Sequence, residues 1–187
     1  MNAIIRYTFP LFCCIMLLGC VSGKQPSLDD MRESRRLVNQ GTLFLRQGLL
    51  DQARASFSMA RELDGSAAAI DGLGCVAMLE QRFEIAQRYF IRAYELDNNY
   101  ADALGNLALL YELYGYLNEA ETLYRRALAI DPKNFRTRNN YAAFLHDHRG
   151  GKDIRVEDEF NKAFSLTPHP LIKANLEIID RRKYGSD

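Results

Sequence analysis

The chain has 187 residues, 48% of them hydrophobic, and its 24 Lys and Arg are balanced by 24 Asp and Glu. That length and apolar content support one folded domain. A net charge of zero, with no run of basic residues interleaved with aromatics, excludes a nucleic-acid binder of the usual electrostatic kind.

Residues 1–19 differ in kind from the rest. Arg6 supplies a positive start, and Tyr7 to Leu18 is mostly apolar but too short for a mature membrane span. The run ends Leu17-Leu18-Gly19-Cys20. This resembles a bacterial lipobox, in which cleavage precedes the Cys and its thiol takes the lipid. The resemblance implies a signal peptide over 1–19 and a covalent lipid on Cys20 in place of any other cofactor. A plain signal peptide or an N-terminal anchor that happens to contain Cys is the alternative. Val21, where inner-membrane retention in enteric-type bacteria uses Asp, implies the periplasmic face of an outer membrane. Acyl chains anchor stably because each buried methylene contributes about 0.8 kcal/mol. Cys13 and Cys14 leave with the signal, so Cys75 is the remaining thiol, read as a small apolar helix residue with a reactive thiol as the alternative.

Residues 20–27, with Gly23, Pro26 and Ser27, read as a lipidated Cys and tether. Ser27 is placed to cap a helix from Leu28 to Gln47, with Asp29 and Asp30 near its positive end. From there to residue 182 the pattern is helical, and it repeats.

The clearest unit is Ala101 to Asn134. Leu104, Leu107, Ala108 and Tyr111 share one helix face. Gly115 stops that helix, because glycine takes the left-handed conformation cheaply. Ala120, Tyr124 and Ala127 share a face of the next helix, and Pro132 forbids its continuation. Residues 67–100 carry Leu73, Gly74, Ala86, Phe90 and Ala93 at the same offsets. Residues 34–66 carry Gly41, Ala53, Phe57 and Ala60, and residues 135–168 carry Tyr141, Ala142, Leu145, Phe160 and Ala163. The last unit holds about two extra residues around Arg149 to Lys152, which predicts a longer turn. Residues 171–182 read as a capping helix with a stripe of Leu171, Ala174, Ile178 and Ile179, because the last pair of a solenoid needs its face covered.

A 34-residue helical pair with these small and large places resembles the tetratricopeptide repeat (TPR) family. The resemblance implies an all-α solenoid of about four repeats over 28–182. It also implies a concave groove lined by the first helix of each unit, at its second, fifth, ninth and twelfth places. Those places and the adjoining sixth give Asp71, Cys75, Met78, Asp102, Asn106, Leu109, Arg136, Asn139 and Asn140 as the peptide-binding residues. Leu109 and Met78 supply apolar area, and Asn106, Arg136 and Asn140 supply amides and a planar cation suited to a peptide backbone or a carboxylate. Asn106, Arg136 and Asn140 also fit three places of the family's carboxylate clamp. Asp71 stands where that clamp needs Lys, and a fixed negative charge there repels an acidic tail.

No catalytic motif is present: no G-x-S-x-G, P-loop, H-E-x-x-H or C-x-x-C. His146 and His148 flank Asp147 at a helix end, where neighbours two apart point away from each other. The expectation is therefore no catalytic and no metal residues. Asn139-Asn140-Tyr141-Ala142-Ala143-Phe144-Leu145 is similar to the N-N-Y-G-G-F-L of lipidated TPR proteins of pilus assembly. That resemblance implies a non-enzymatic scaffold that assists type IV or tight-adherence pilus assembly, with a secretin subunit as partner. The alternative is an envelope adaptor recruiting peptidoglycan enzymes or a protease.

Overall fold

The computed structural model describes residues 25–149 and 153–184. Among these the secondary structure is helical throughout: α1 (Leu28–Arg46), α2 (Leu50–Asp64), α3 (Ala67–Leu79), α4 (Phe83–Leu96), α5 (Ala101–Leu113), α6 (Leu117–Ile130), α7 (Phe135–His148), α8 (Ile154–Leu166) and α9 (Pro170–Tyr184). The helices α1 to α8 form four antiparallel pairs, and each pair packs on the next.

Local chemistry sets the boundaries. Ser27 accepts from the Asp30 amide while Asp30 accepts from the Ser27 amide, a reciprocal cap on α1. Gly115, at φ 79°, lets the chain leave α5 and re-enter α6 within three residues. Between units, the carboxylates of Asp64, Asp97 and Asp131 each accept a backbone N–H two residues on. Those local bonds compete with further helix and turn the chain. The α7–α8 connection spans five residues, 149–153, where the first three pairs use three. The described residues on its two sides are held by one carboxylate: Glu121 on α6 accepts from Arg149 Nε at 2.9 Å and from Arg155 Nη1 at 3.1 Å.

The small and large places of the repeat make the core. Phe57, Phe90, Tyr124 and Phe160 are all buried, as are Ala60, Ala93, Ala127 and Ala163 one turn later. A Cβ on Gly74 would lie 2.5 Å from the Phe90 ring, so the small residue there is a condition for the ring to enter. Tyr124 keeps its hydroxyl satisfied by donating to Glu112 at 2.9 Å.

The ninth helix begins one residue earlier and ends two later than its apolar pattern predicts, and its buried stripe differs. Leu171, Ala174 and Ile178 are exposed, whereas Ile172 and Ile179 pack into the core with Phe160 and Ala163. Residues 1–19, Cys20 and Val21 lie outside the described residues, as do 150–152. No described helix is long and apolar enough to cross a membrane.

Candidate peptide-binding groove

The first helices of successive pairs touch one another, α1 to α3, α3 to α5 and α5 to α7. Equivalent places in neighbouring units therefore fall side by side on one face. Six of the nine groove residues named from the repeat register meet there. Asp71 and Cys75 of α3, Asp102 and Asn106 of α5, and Arg136 and Asn140 of α7 line one cleft of about 260 Å³. Val38, Thr42, Leu45 and Arg46 of α1 close its other side.

Three named residues are elsewhere. Met78 and Leu109 sit one turn beyond Cys75 and Asn106, about 4.5 Å further along the helix axes. Met78 packs on the Phe90 and Leu110 cluster and Leu109 is half-buried, so neither supplies apolar area to the cleft. Asn139 is buried and faces the capping helix. Its Oδ1 accepts from Asn175 Nδ2 at 3.0 Å and its Nδ2 donates to Asn140 Oδ1 at 3.4 Å. The register places Asn139 correctly within its unit but is blind to α9, which covers it.

The floor of the cleft is a buried carboxyl. Asn106 Nδ2 donates to both Asp71 oxygens, at 2.9 and 3.1 Å, and lies 3.5 Å from Cys75 Sγ. The Tyr100 hydroxyl donates to Asp71 Oδ2 at 3.4 Å. Burial pushes the Asp71 carboxyl up to about 7, against the pull of the Asn106 and Tyr100 hydrogen bonds and of Arg136, with Asp102 adding to the rise. The fixed repulsive anion expected from the sequence is thus replaced by a group that is protonated about half the time near neutral pH. Burial also pushes the Cys75 thiol up, with Asp71 and Asp102 adding to the rise, which favours its protonated form.

The rim is charged and polar. Arg136 is exposed, its guanidinium carbon lies 5.4 Å from the Phe135 ring centre, and no carboxylate pairs with it among the described residues. Asp102 accepts from Asn134 Nδ2 at 2.7 Å. Asn134 caps α7 by accepting from the Thr137 amide at 3.1 Å. Asn106 was expected to offer a donor and an acceptor; its amide nitrogen donates to Asp71, which leaves its oxygen as the acceptor for the cleft. The cleft thus combines acceptors on one side with a planar cation on the other. That suits an extended backbone carrying one acidic or amide group.

Tyr100 and Thr137, which line the cleft, and Asn134, which donates to Asp102 on its rim, were not legible in those roles. Asn134 carries a helix-cap signal but none for its link to Asp102. Thr137 enters because α5 has Gly105 beside it, where a Cβ would meet Thr137 Oγ1 at 2.4 Å. Tyr100 lies in an inter-repeat turn, outside the places that line a groove by register. His146 and His148 turn to different partners, Asp147 Oδ1 at 2.7 Å and Glu112 Oε1 at 3.0 Å. Among the described residues no three His, Cys, Asp or Glu converge as a metal set.

The family model described as "Tetratricopeptide repeat" matches residues 101–134. The chain is 38% identical over 172 residues to the type IV pilus assembly protein PilF of Pseudomonas aeruginosa, covering 89% of this chain and 53% of that protein. The chain spans about half the length of the curated relatives it matches. Among solved structures it superposes on P. aeruginosa PilF with a TM-score of 0.65 and 20% identity, over 83% of this chain and 72% of that one. It also superposes on the first TPR domain of RPAP3 bound to an HSP90 peptide, with a TM-score of 0.54 and 19% identity, over 66% of this chain and 97% of that one. These likenesses establish the solenoid fold.

Proposed function

We propose that this tetratricopeptide-repeat solenoid is an interaction scaffold that holds an extended segment of a partner protein in the α1–α3–α5–α7 cleft, in the service of type IV pilus assembly. One observation carries the reading: three successive first helices, α3, α5 and α7, deliver Asp71, Asn106, Arg136 and Asn140 to a single cleft that α1 closes. The similarity to PilF along 89% of the chain supports the pilus assignment. The partner segment belongs to a secretin subunit. The scaffold sits at the periplasmic face of the outer membrane, held by lipid on Cys20, and the Leu17-Leu18-Gly19-Cys20 run followed by Val21 supports that placement. The reading assigns no reaction to the chain; its work is to hold a partner.

The test is binding of the purified secretin subunit to the scaffold and to a variant with Asn106→Ala, Arg136→Ala and Asn140→Ala together. Each lost hydrogen bond costs about 1 kcal/mol, so the variant binds roughly 100-fold more weakly. Arg88→Ala with Arg125→Ala, both exposed positions, is the control and binds normally. Arg126 is unsuited to that control, because it donates to the Tyr94 hydroxyl and lies 4.9 Å from that ring, tying α6 to α4. A groove variant that binds like the parent, beside a control that fails, moves the working surface to the other face.

A further inference from the structure

On the turn edge of the solenoid, away from the groove, lies a second cleft of about 530 Å³ lined by Glu84, Gln87, Tyr111, Tyr114, Tyr116 and Glu119. Tyr111 and Tyr116 meet edge to face with centres 5.9 Å apart, and Tyr114 and Tyr116 lie 6.1 Å apart. Tyr114 is also held edge-on by Phe83 at 6.0 Å, and Gln87 donates to the Tyr111 hydroxyl at 3.2 Å. The rings are thus fixed by one another, yet Tyr114 is 39% and Tyr116 56% exposed.

The repeat does not require this cluster. Tyr114 closes α5 and Tyr116 opens α6. The same two places hold Gln47 and Leu49 in the first unit, and Glu80 and Arg82 in the second. Two exposed aromatic rings here are particular to the third unit. The charge around them is also one-sided. Glu84 and Glu119 are exposed, no basic residue lines the cleft, and neither carboxylate has an ion pair among the described residues. Elsewhere on this chain carboxylates such as Glu80, Glu121 and Glu159 are matched by arginine. The Tyr114 hydroxyl is pushed up by desolvation and then by Glu84, which agrees with that carboxylate facing the ring.

Aromatic faces carry negative potential and attract cations. Carboxylates at the rim add to that field. We propose that this cleft receives an arginine side chain presented by a partner protein, with the guanidinium over the Tyr114 and Tyr116 rings and paired to Glu84 or Glu119. Arginine fits better than lysine because its planar head stacks on a ring and reaches a carboxylate with two parallel N–H groups at once. The site is independent of the groove, so a partner segment touches the scaffold at two places on different faces.

The test uses the full chain with its tyrosine rings isotopically labelled, followed by NMR. Tyr114→Phe and Tyr116→Phe each delete one signal and so assign it. An N-acetylated, C-amidated Gly-Arg-Gly peptide is titrated against the same peptide carrying citrulline, a neutral isostere. The expected result is saturable movement of the Tyr114 and Tyr116 signals with arginine and none with citrulline. Glu84→Gln with Glu119→Gln weakens the arginine peptide roughly fivefold or more, by loss of two exposed charge partners beside the rings. Equal response to citrulline, or an unchanged midpoint in the double variant, overturns the site. A Gly-Lys-Gly peptide or choline that binds more tightly than the arginine peptide overturns the assignment to a guanidinium.

Discussion

Replacing Asp71 with Asn should make the fold more stable at alkaline pH and leave it nearly unchanged at acid pH. The carboxyl is buried, and its hydrogen bonds from Asn106 and Tyr100 do not offset the loss of water. In the unfolded chain it titrates at its ordinary 3.8, and in the fold at about 7. Between those values the folded state holds a proton that the unfolded state has released. Stability therefore falls as pH rises through that window. The contribution is fully present below about pH 4 and lost above about pH 7. Carrying a carboxyl from 3.8 to about 7 is worth roughly 4 kcal/mol.

Asn is the isostere of the protonated acid. Its oxygen still accepts from Asn106, and its amide can donate to the Tyr100 hydroxyl. The variant keeps the packing and loses the titration. Thermal unfolding followed by circular dichroism, from about pH 5 to pH 8.5, reads the difference between variant and parent; other carboxylates titrate in both and cancel. At the alkaline end the variant melts roughly 8–16 °C higher, taking 2–4 °C per kcal/mol for a chain of this size. A difference that stays flat across the range, or grows towards acid, refutes the buried-carboxyl argument.

Three further outcomes follow from the packing and the N-terminus. Ala108→Leu overpacks the buried seam beside Ala120 and Tyr124 and costs about 1–3 kcal/mol, read as a lower unfolding temperature. Gly105→Ala forces a Cβ against Thr137 Oγ1 at a similar cost of about 1–3 kcal/mol; Thr137→Ala in the same chain recovers most of it, and a double variant no better than the single one shows that the two residues do not meet. Cys20→Ala leaves the chain unlipidated and removes it from the outer-membrane fraction; a mature, unmodified variant that still sediments with outer membrane ends the lipid-anchor reading.

What was legible in the sequence was whatever depends on one repeat and its period. Ala53 and Phe57, Ala86 and Phe90, Ala120 and Tyr124, and Val156 and Phe160 are buried in their four pairs, because a small or apolar residue four before an aromatic recurs at one period. What escaped depends on residues far apart in sequence. The sign of Asp71 was read directly, but its burial is set by Tyr100 and Asn106, 29 and 35 residues on. Asn139 was assigned to the groove by register and is instead held by Asn175, 36 residues on. The tyrosines of the second cleft fall at a helix end and in a turn, where a repeat pattern specifies glycine and little else.

The capping helix shows how long-range order outranks a local stripe. The third and tenth residues of α3, α5 and α7 are Ala69 and Val76, Ala103 and Leu110, and Thr137 and Phe144, all buried. In α9 the third and tenth residues are Ile172 and Ile179, the two that are buried among its residues 170–179. Val76 packs with Ala53 and Phe57 of the pair before it, and Leu110 with Ala86 and Phe90 of the pair before it. These places therefore form the seam between one unit and the last. The eighth place, Gly74 or Ala108 in a full unit, instead faces the second helix of the same pair, as the Gly74–Phe90 approach shows. In α9 the fourth and eighth places are Lys173 and Glu177, joined at 3.9 Å with their side chains more than half exposed. The helix thus keeps the apolar seam that docks it on α8 and carries a charged pair where an inner helix would receive a partner. One face buries the end of the core and the other faces water, which is what a terminal helix of a solenoid must do.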